Sequence, residues 1–410
     1  RGAGEELLPR LAFLSASCPP GPLKDAAKGA ILSLDGVLAV CGEDAAYWAG
    51  AEDILRFADL DGAALDFSFL ERRDVQSGPA FCLSRGCGSA CHFCTSTDQG
   101  RFHGKSAAEV GRALAGYGRR LKELYGSWSR VPTAAFGLGF YDDDFLADGA
   151  RALSVLEVVR RSPFHLRFLQ ASIRAFFRRG NDGSLEDVDE GLLNALSPEL
   201  FTLKHGREER SHDPQLYLGT ESFCDAELMR LGKGYGTAQV SAVVRALSRR
   251  GLRQAHHFIA SNARTRPEDV IESLGLIVRL REECGAPFEL LEPVITHLVS
   301  FPGTASLRAL LRGGLGGSVE RRGVLSVPGF QEFDYPLMVR DIPVDADVAD
   351  WAERLTLKGS GVDWGAELEG LLFEWLLLSE RLSASGREPE RALRLRRAVD
   401  AHAHPARAAA

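Results

Sequence analysis

FCLSRGCGSACHFC, residues 81–94, sets Cys87, Cys91 and Cys94 at the spacing C-x3-C-x2-C, directly after PAFCL (79–83), a short apolar run that reads as a β-strand. Three thiols in so short a loop can meet at one point. Thiolates are soft ligands that suit iron–sulfur clusters or zinc. With only three protein ligands, a cubane cluster keeps one iron open for a small molecule. Gly86 and Gly88 let the backbone turn tightly around such a centre. A Cys3His zinc site completed by His92 or His103 is the alternative, and three structural thiols in a loop is the bland reading. Cys82, on the strand itself, is expected as a small buried core residue.

Outward from this loop, short apolar runs alternate with amphipathic stretches, the βαβα rhythm of a parallel sheet. Strands are predicted at about 79–83, 132–140, 164–171, 214–220, 253–260 and 288–299, with a helix after each. Helical stretches are expected to open at Ser106, at Thr237, and at Thr265 just before Arg266-Pro267. Upstream, residues 1–78 read as a small α+β leader with helices at 5–14 and 44–57 and a hairpin turning at Asp35-Gly36. Downstream, the glycine-rich RGGLGGS (312–318) leads into a mainly helical accessory region. There, from about Trp364 to Ala401, Leu368, Leu371, Trp375 and Leu378 share one apolar face.

The chain has 410 residues, 45% apolar and 26% charged, which places it among globular proteins with sizeable cores. Its 49 basic and 56 acidic side chains leave a formal charge of −7, so no overall basic field draws it to nucleic acid or an anionic membrane. No uninterrupted apolar run approaches the roughly 18 residues of a membrane helix, and the opening RGAGEELLPRL lacks the order of a secretory signal. A cytoplasmic location is expected. The cysteines are also too sparse for a secreted disulfide scaffold. Because the first residue is Arg1, the chain is expected to begin inside a longer gene product.

The cysteine motif after a first strand resembles the hallmark of the radical S-adenosylmethionine (SAM) superfamily. That resemblance implies a partial (β/α)6 TIM-type barrel at residues 79–311, between the leader (1–78) and the accessory region (318–410). It also implies that Cys87, Cys91 and Cys94 hold a 4Fe-4S cluster whose open iron chelates SAM, with Phe93 near the adenine. SRGC (84–87), GFYDDDF (139–145), LGTESF (218–223) and LVSFPGT (298–304) are similar to the cobalamin-associated branch, over roughly residues 79–305. RGAGEELLPRL resembles the segment that leaves the cobalamin domain in that branch. The DxHxxG loop of that domain does not occur in this sequence, which leaves cobalamin open as a cofactor.

In such a barrel, SAM is held at the C-terminal ends of the strands. The candidates there are Tyr141 and Asp142 after the second strand, Ser172 and Arg174 after the third, Glu221 and Ser222 after the fourth, and Asn262 after the fifth. The competing role for the acids at 142–144 is to cap a helix starting near Phe145. Glu221 is favoured because an acid ending an apolar strand needs a partner. Of the adjacent His256 and His257, alternation lets only one face the lumen. Glu292 and His297 are weaker candidates for the substrate cavity. GKGYG (232–236) lacks phosphate-loop spacing and reads as an inter-helix turn.

The resemblance implies an enzyme that cleaves SAM reductively to a 5′-deoxyadenosyl radical. Its substrate would be a small molecule or peptide, its outcome a methylation or rearrangement, and its electron donor of flavodoxin or ferredoxin type. No catalytic acid or base is identifiable from the sequence. The rival from another class is a zinc-binding module without catalysis; a radical SAM enzyme acting on RNA is disfavoured by the acidic charge.

Overall fold

The computed structural model describes residues 65–76, 78–94, 101–180, 182–202, 215–290, 295–300, 304–306, 309, 343–358 and 362–403, together with the short strands at 38–40, 46–48, 319–321 and 339–341. The chain divides into two compact units, Arg1–Ala64 and Leu65–Ala410.

In the first unit, β1 (Leu38–Val40) pairs antiparallel with β2 (Ala46–Trp48). The helix expected over 44–57 is therefore a strand at Ala46–Trp48, where Tyr47 and Trp48 are residues that favour a pleated surface. The expected helix at 5–14 and the turn at Asp35-Gly36 lie outside the described residues.

The second unit is built on six parallel strand positions in sequential order. β3 (Ala80–Phe81) pairs with β6 (Gly137–Phe140), then come β7 (His165–Ala171), β10 (Leu216–Glu221) and β11 (Gln254–Ser261). The sixth position is shared by β12 (Phe288–Leu290) and β13 (Ile295–Ser300), both parallel to β11. Sequential order with right-handed helical crossovers is the wiring of a (β/α) barrel. Among the described residues β3 and β13 do not pair, so the barrel is partial. Beyond β13 the sheet continues antiparallel through β15 (Val339–Asp341) to β14 (Val319–Arg321).

The crossover helices form for local reasons. In α1 (Ala107–Tyr125), Ser106 caps the Glu109 N–H and Gly126 ends the helix at φ +79°. Its Val110, Leu114, Tyr117 and Leu121 repeat at helical spacing and are buried. Tyr117 lies among Phe67, Phe81 and Phe164, so residues 65–76 belong to the core of this unit. α2 (Gly149–Arg161) starts at the cap Asp148, not near Phe145.

After β7 the structure departs from a simple strand–helix repeat. A hairpin of β8 (Phe177–Arg179) and β9 (Leu185–Val188) precedes the short α3 (Glu190–Ala195). Two helices follow β10: α4 (Asp225–Leu231) and α5 (Thr237–Arg249), with GKGYG as the turn between them. Thr237 is the first residue inside α5 rather than its cap; Gly236 holds the cap position and Asp225 accepts the Thr237 N–H. α6 (Pro267–Cys284) begins with Pro267 as expected, and Asp269 accepts the Arg266 N–H.

The C-terminal region adds α7 (Ala346–Lys358), α8 (Trp364–Ser385) and α9 (Pro389–Ala403). The stretch expected to be helical from about Trp364 to Ala401 forms two helices, because Gly386 adopts a left-handed φ of +62° and Pro389 restarts the chain. α8 and α9 pack on α6, burying Trp364, Leu368, Leu371, Trp375 and Leu395. The segment 322–338 and the linker at 312–318 lie outside the described residues.

Candidate active site

The three cysteines sit where β3 hands the chain to an antiparallel hairpin. β4 (Ser84–Cys87) pairs with β5 (Arg101–Gly104), with Cys87 opposite Arg101, and Cys91 and Cys94 follow in the connecting loop. The hairpin is fixed from below by the acidic run after β6. Asp142 accepts the Leu83 N–H (2.9 Å) and the Ser84 hydroxyl (2.6 Å), and Asp143 accepts the Gly86 N–H (2.8 Å). Arg151 of α2 clamps it from the side, donating to Lys105 O (2.8 Å) and Leu83 O (2.9 Å). These acids therefore do not cap α2; they hold the cysteine hairpin.

The loop is also tied to the next layer. The His92 N–H donates to Leu231 O, its ring Nδ1 meets Arg230 O at 2.7 Å, and its own carbonyl accepts the Ser306 N–H. His92 is thus engaged with backbone through Nδ1, which removes that nitrogen as a fourth zinc ligand. Cys82, expected in the core, is exposed, with its thiol on Ser84 O, because it alternates to the face opposite its buried neighbours Phe81 and Leu83.

Burial pushes the Cys87 thiol up to about 11, with Asp144 and the other two thiols adding to the rise. Burial also raises Cys91, opposed chiefly by the Lys233 ammonium. Three thiols in one short loop, those of Cys87 and Cys91 raised by burial, form a soft donor set, which fits an iron–sulfur cluster. Among the described residues no three His, Cys, Asp or Glu side chains already converge at metal-ligand distances.

Beside this loop lies a charged pair. Glu221 ends β10 at φ +68°, among the described residues the only non-glycine with positive φ, just past a break in the β10–β11 register. Its carboxylate lies 3.8 Å from Lys233 Nζ, and both side chains are largely enclosed. Lys233 also stands over the rings of Phe93 (5.7 Å) and Tyr235 (5.8 Å). Burial opposes its charge, but Tyr235, Glu221 and Cys91 hold it protonated. The sequence passed over Lys233, since GKGYG read only as a turn; a lysine between two glycines of a turn was the available signal.

The other candidates separate into two groups. Phe93 and Glu221 gather at the cysteine loop, and Arg174 lies against Gly234, next to Lys233, with a buried Nε that makes no hydrogen bond. Tyr141 is 55% exposed at the end of β6, its ring edge-on to Phe168 (4.8 Å), which in turn meets Tyr217 (5.4 Å).

Asp142, Ser172, Ser222 and Asn262 hydrogen-bond within the protein. Asp142 is enclosed, and burial raises it to about 6. Ser172 donates to Asp144 (2.6 Å), also raised to about 6 by burial. Ser222 accepts the Cys224 N–H. Asn262 donates to Glu227 and accepts the Arg264 N–H, in a network that continues to Thr265, Arg230 and Asp269. All four thus hydrogen-bond at the strand ends, and Asp142 keeps one buried carboxylate oxygen, Oδ2, without a hydrogen bond.

His256 is fully buried between Thr220 Oγ1 (2.6 Å) and Gln254 Oε1 (3.0 Å), and burial lowers it to about 3, so it is a neutral structural histidine. His257 alternates to the other face and is partly exposed. Glu292 and the His297 side chain lie outside the described residues. Among the described residues, no helix is long and apolar enough to cross a membrane.

No protein-family profile matches the chain, and no curated protein does. Solved structures do. One is the cobalamin-dependent S-adenosylmethionine radical enzyme OxsB with aqua-cobalamin and S-adenosylmethionine bound, at TM-score 0.55 and 12% identity, covering 94% of this chain and 63% of that one. Another is apo, selenomethionine-labelled OxsB, at TM-score 0.50 and 14% identity, covering 91% and 54%. The chain thus spans less than two thirds of the OxsB chains. At these identities the likeness is one of fold, and with the sequential six-position parallel sheet it gives this chain the α/β fold of the radical SAM enzymes, a partial barrel carrying the three-cysteine loop beyond its first strand.

Proposed function

We propose that the chain is the catalytic barrel of a radical SAM enzyme. Cys87, Cys91 and Cys94 would hold a 4Fe-4S cluster, and SAM would bind beside it at the same end of the sheet. The observation that carries this reading is the three-thiol loop, held by Asp142, Asp143 and Arg151 at the C-terminal edge of a six-position parallel sheet. When bound, the cluster would supply one electron to the SAM sulfonium, releasing methionine and a 5′-deoxyadenosyl radical that takes a hydrogen atom from substrate.

The chain's own residues supply enclosure and charge. Phe93 and Tyr235 flank the buried Lys233 beside the loop. Arg174 Nε, buried and without a hydrogen bond, suits an anionic group such as a carboxylate. The aromatic row of Tyr141, Phe168 and Tyr217, running from the end of β6 across β7 to the start of β10, would give substrate an apolar wall. The substrate class is a small molecule or peptide, and the electron donor a flavodoxin or ferredoxin.

The test is anaerobic reconstitution with iron and sulfide, followed by an assay for 5′-deoxyadenosine from SAM and dithionite, with and without cobalamin. Four irons per chain with SAM cleavage are expected, and Cys91→Ala should lose both while keeping its circular dichroism. Cobalamin-dependent turnover would point to methyl transfer. Zinc uptake in place of iron, with no deoxyadenosine, would overturn the proposal in favour of a zinc module.

A further inference from the structure

The GKGYG turn is built to deliver one side chain. Gly232 and Gly234 both adopt left-handed φ, +71° and +70°, conformations that side-chain-bearing residues rarely take. A Cβ at Gly232 would stand 2.9 Å from the His92 ring, so the turn lies close against the cysteine loop. Between these glycines Lys233 projects inward and is 6% exposed. Tyr235, whose hydroxyl donates to Gly219 O (2.9 Å), is locked on one side, and Glu221 lies on the other at its own left-handed φ. Burying an ammonium is costly unless it is compensated. A left-handed φ is costly too for a residue that bears a side chain. A turn that sets two glycines at left-handed φ and a strand end that bears strain at Glu221, both enclosing one charged pair, point to a use for that charge.

On the reading that Cys87, Cys91 and Cys94 hold an iron–sulfur cluster, we propose that Lys233 is a positioning residue that raises the reduction potential of that cluster through the sulfur of Cys91, with Glu221 offsetting part of its charge. Reduction moves one electron from an external donor, here dithionite, onto the cluster; no bond forms or breaks. A fixed cation in a water-poor setting stabilises the more negative, reduced form. Net charge, hydrogen bonds to sulfur and solvent exposure are the factors that set such potentials.

The experiment is a redox titration of the reconstituted full chain, followed by electron paramagnetic resonance without SAM, for the wild type, Lys233→Met, Lys233→Arg and Glu221→Gln. In Lys233→Met the ratio of reduced to oxidised cluster at a given poise should fall at least tenfold, 59 mV for one electron. Lys233→Arg should restore most of it. Glu221→Gln, which leaves the cation uncompensated, should move the ratio the other way. Equal potentials in the wild type and Lys233→Met overturn the proposal. If Lys233→Met fails to fold or to hold iron, a Glu221→Gln potential equal to or below the wild type overturns it instead. A wild-type chain that takes up no iron removes the cluster reading itself, an outcome visible before any potential is measured.

Discussion

His256 shows how one buried side chain sets a pH response. Its pKa lies near 3 in the folded chain, against 6.5 ordinarily, because burial disfavours the imidazolium. As pH falls below 6.5 the unfolded chain gains a proton that the folded chain refuses, so this contribution to stability, full above 6.5, declines towards pH 3. Asp142 and Asp144 act in the opposite sense. Both are raised from 3.8 to about 6, so the folded chain binds the extra protons and their contribution weakens as pH rises across that interval. Denaturant titrations of the wild type and His256→Gln should therefore diverge on acidification from pH 6 to 4, the wild type losing up to about 1.4 kcal/mol more per pH unit. Parallel curves would refute the assignment. At this scale residue type and spacing single out the cysteines, and an acid ending an apolar strand singles out Glu221, whereas Phe93 enters only through the family resemblance. The sequence was silent on Lys233, because the left-handed backbone that turns a loop lysine inward has no signature beyond two glycines.

Elements were legible where periodicity was strong, and less so where a cap or a break depended on one residue. The six parallel strand positions fall close to their expected ranges, since apolar runs bounded by turn residues are a signal of their own. The cysteine hairpin was not foreseen: β4 and β5 are polar, glycine-containing strands held by Asp142, Asp143 and Arg151 rather than by apolar alternation. Capping supplies a direct test. The Asp363 carboxylate accepts two N–H groups at the start of α8, from Gly365 and Ala366. Asp363→Ala should cost about 1 kcal/mol in chemical denaturation, within the range known for such caps. A change under a few tenths of a kcal/mol would mean that packing alone fixes that terminus.

Across the whole second unit, the accessory helices are part of the barrel's stability. Trp375 of α8 is fully buried, and α8 and α9 cover α6, which in turn lies on the sheet. Trp375→Ala should destabilise this unit by about 3–5 kcal/mol, read as a lowered unfolding midpoint, and should lower iron loading only near that midpoint. Loss of iron binding at full foldedness would instead tie α8 directly to the site. Leu65 to Leu70 join the same core through Phe67, so contacts rather than composition locate where the compact unit starts.

The two flanks of the sheet are unequal. On the far side β13 is extended by β15 and β14, whereas on the near side the described sheet stops at Ala80–Phe81, a strand of two residues. So brief an edge offers a foreign strand hardly any ladder to join. Among the described residues, the flank that carries the cysteine hairpin thus exposes little ladder that could template aggregation, and Pro79 directly before the strand adds no donor to it.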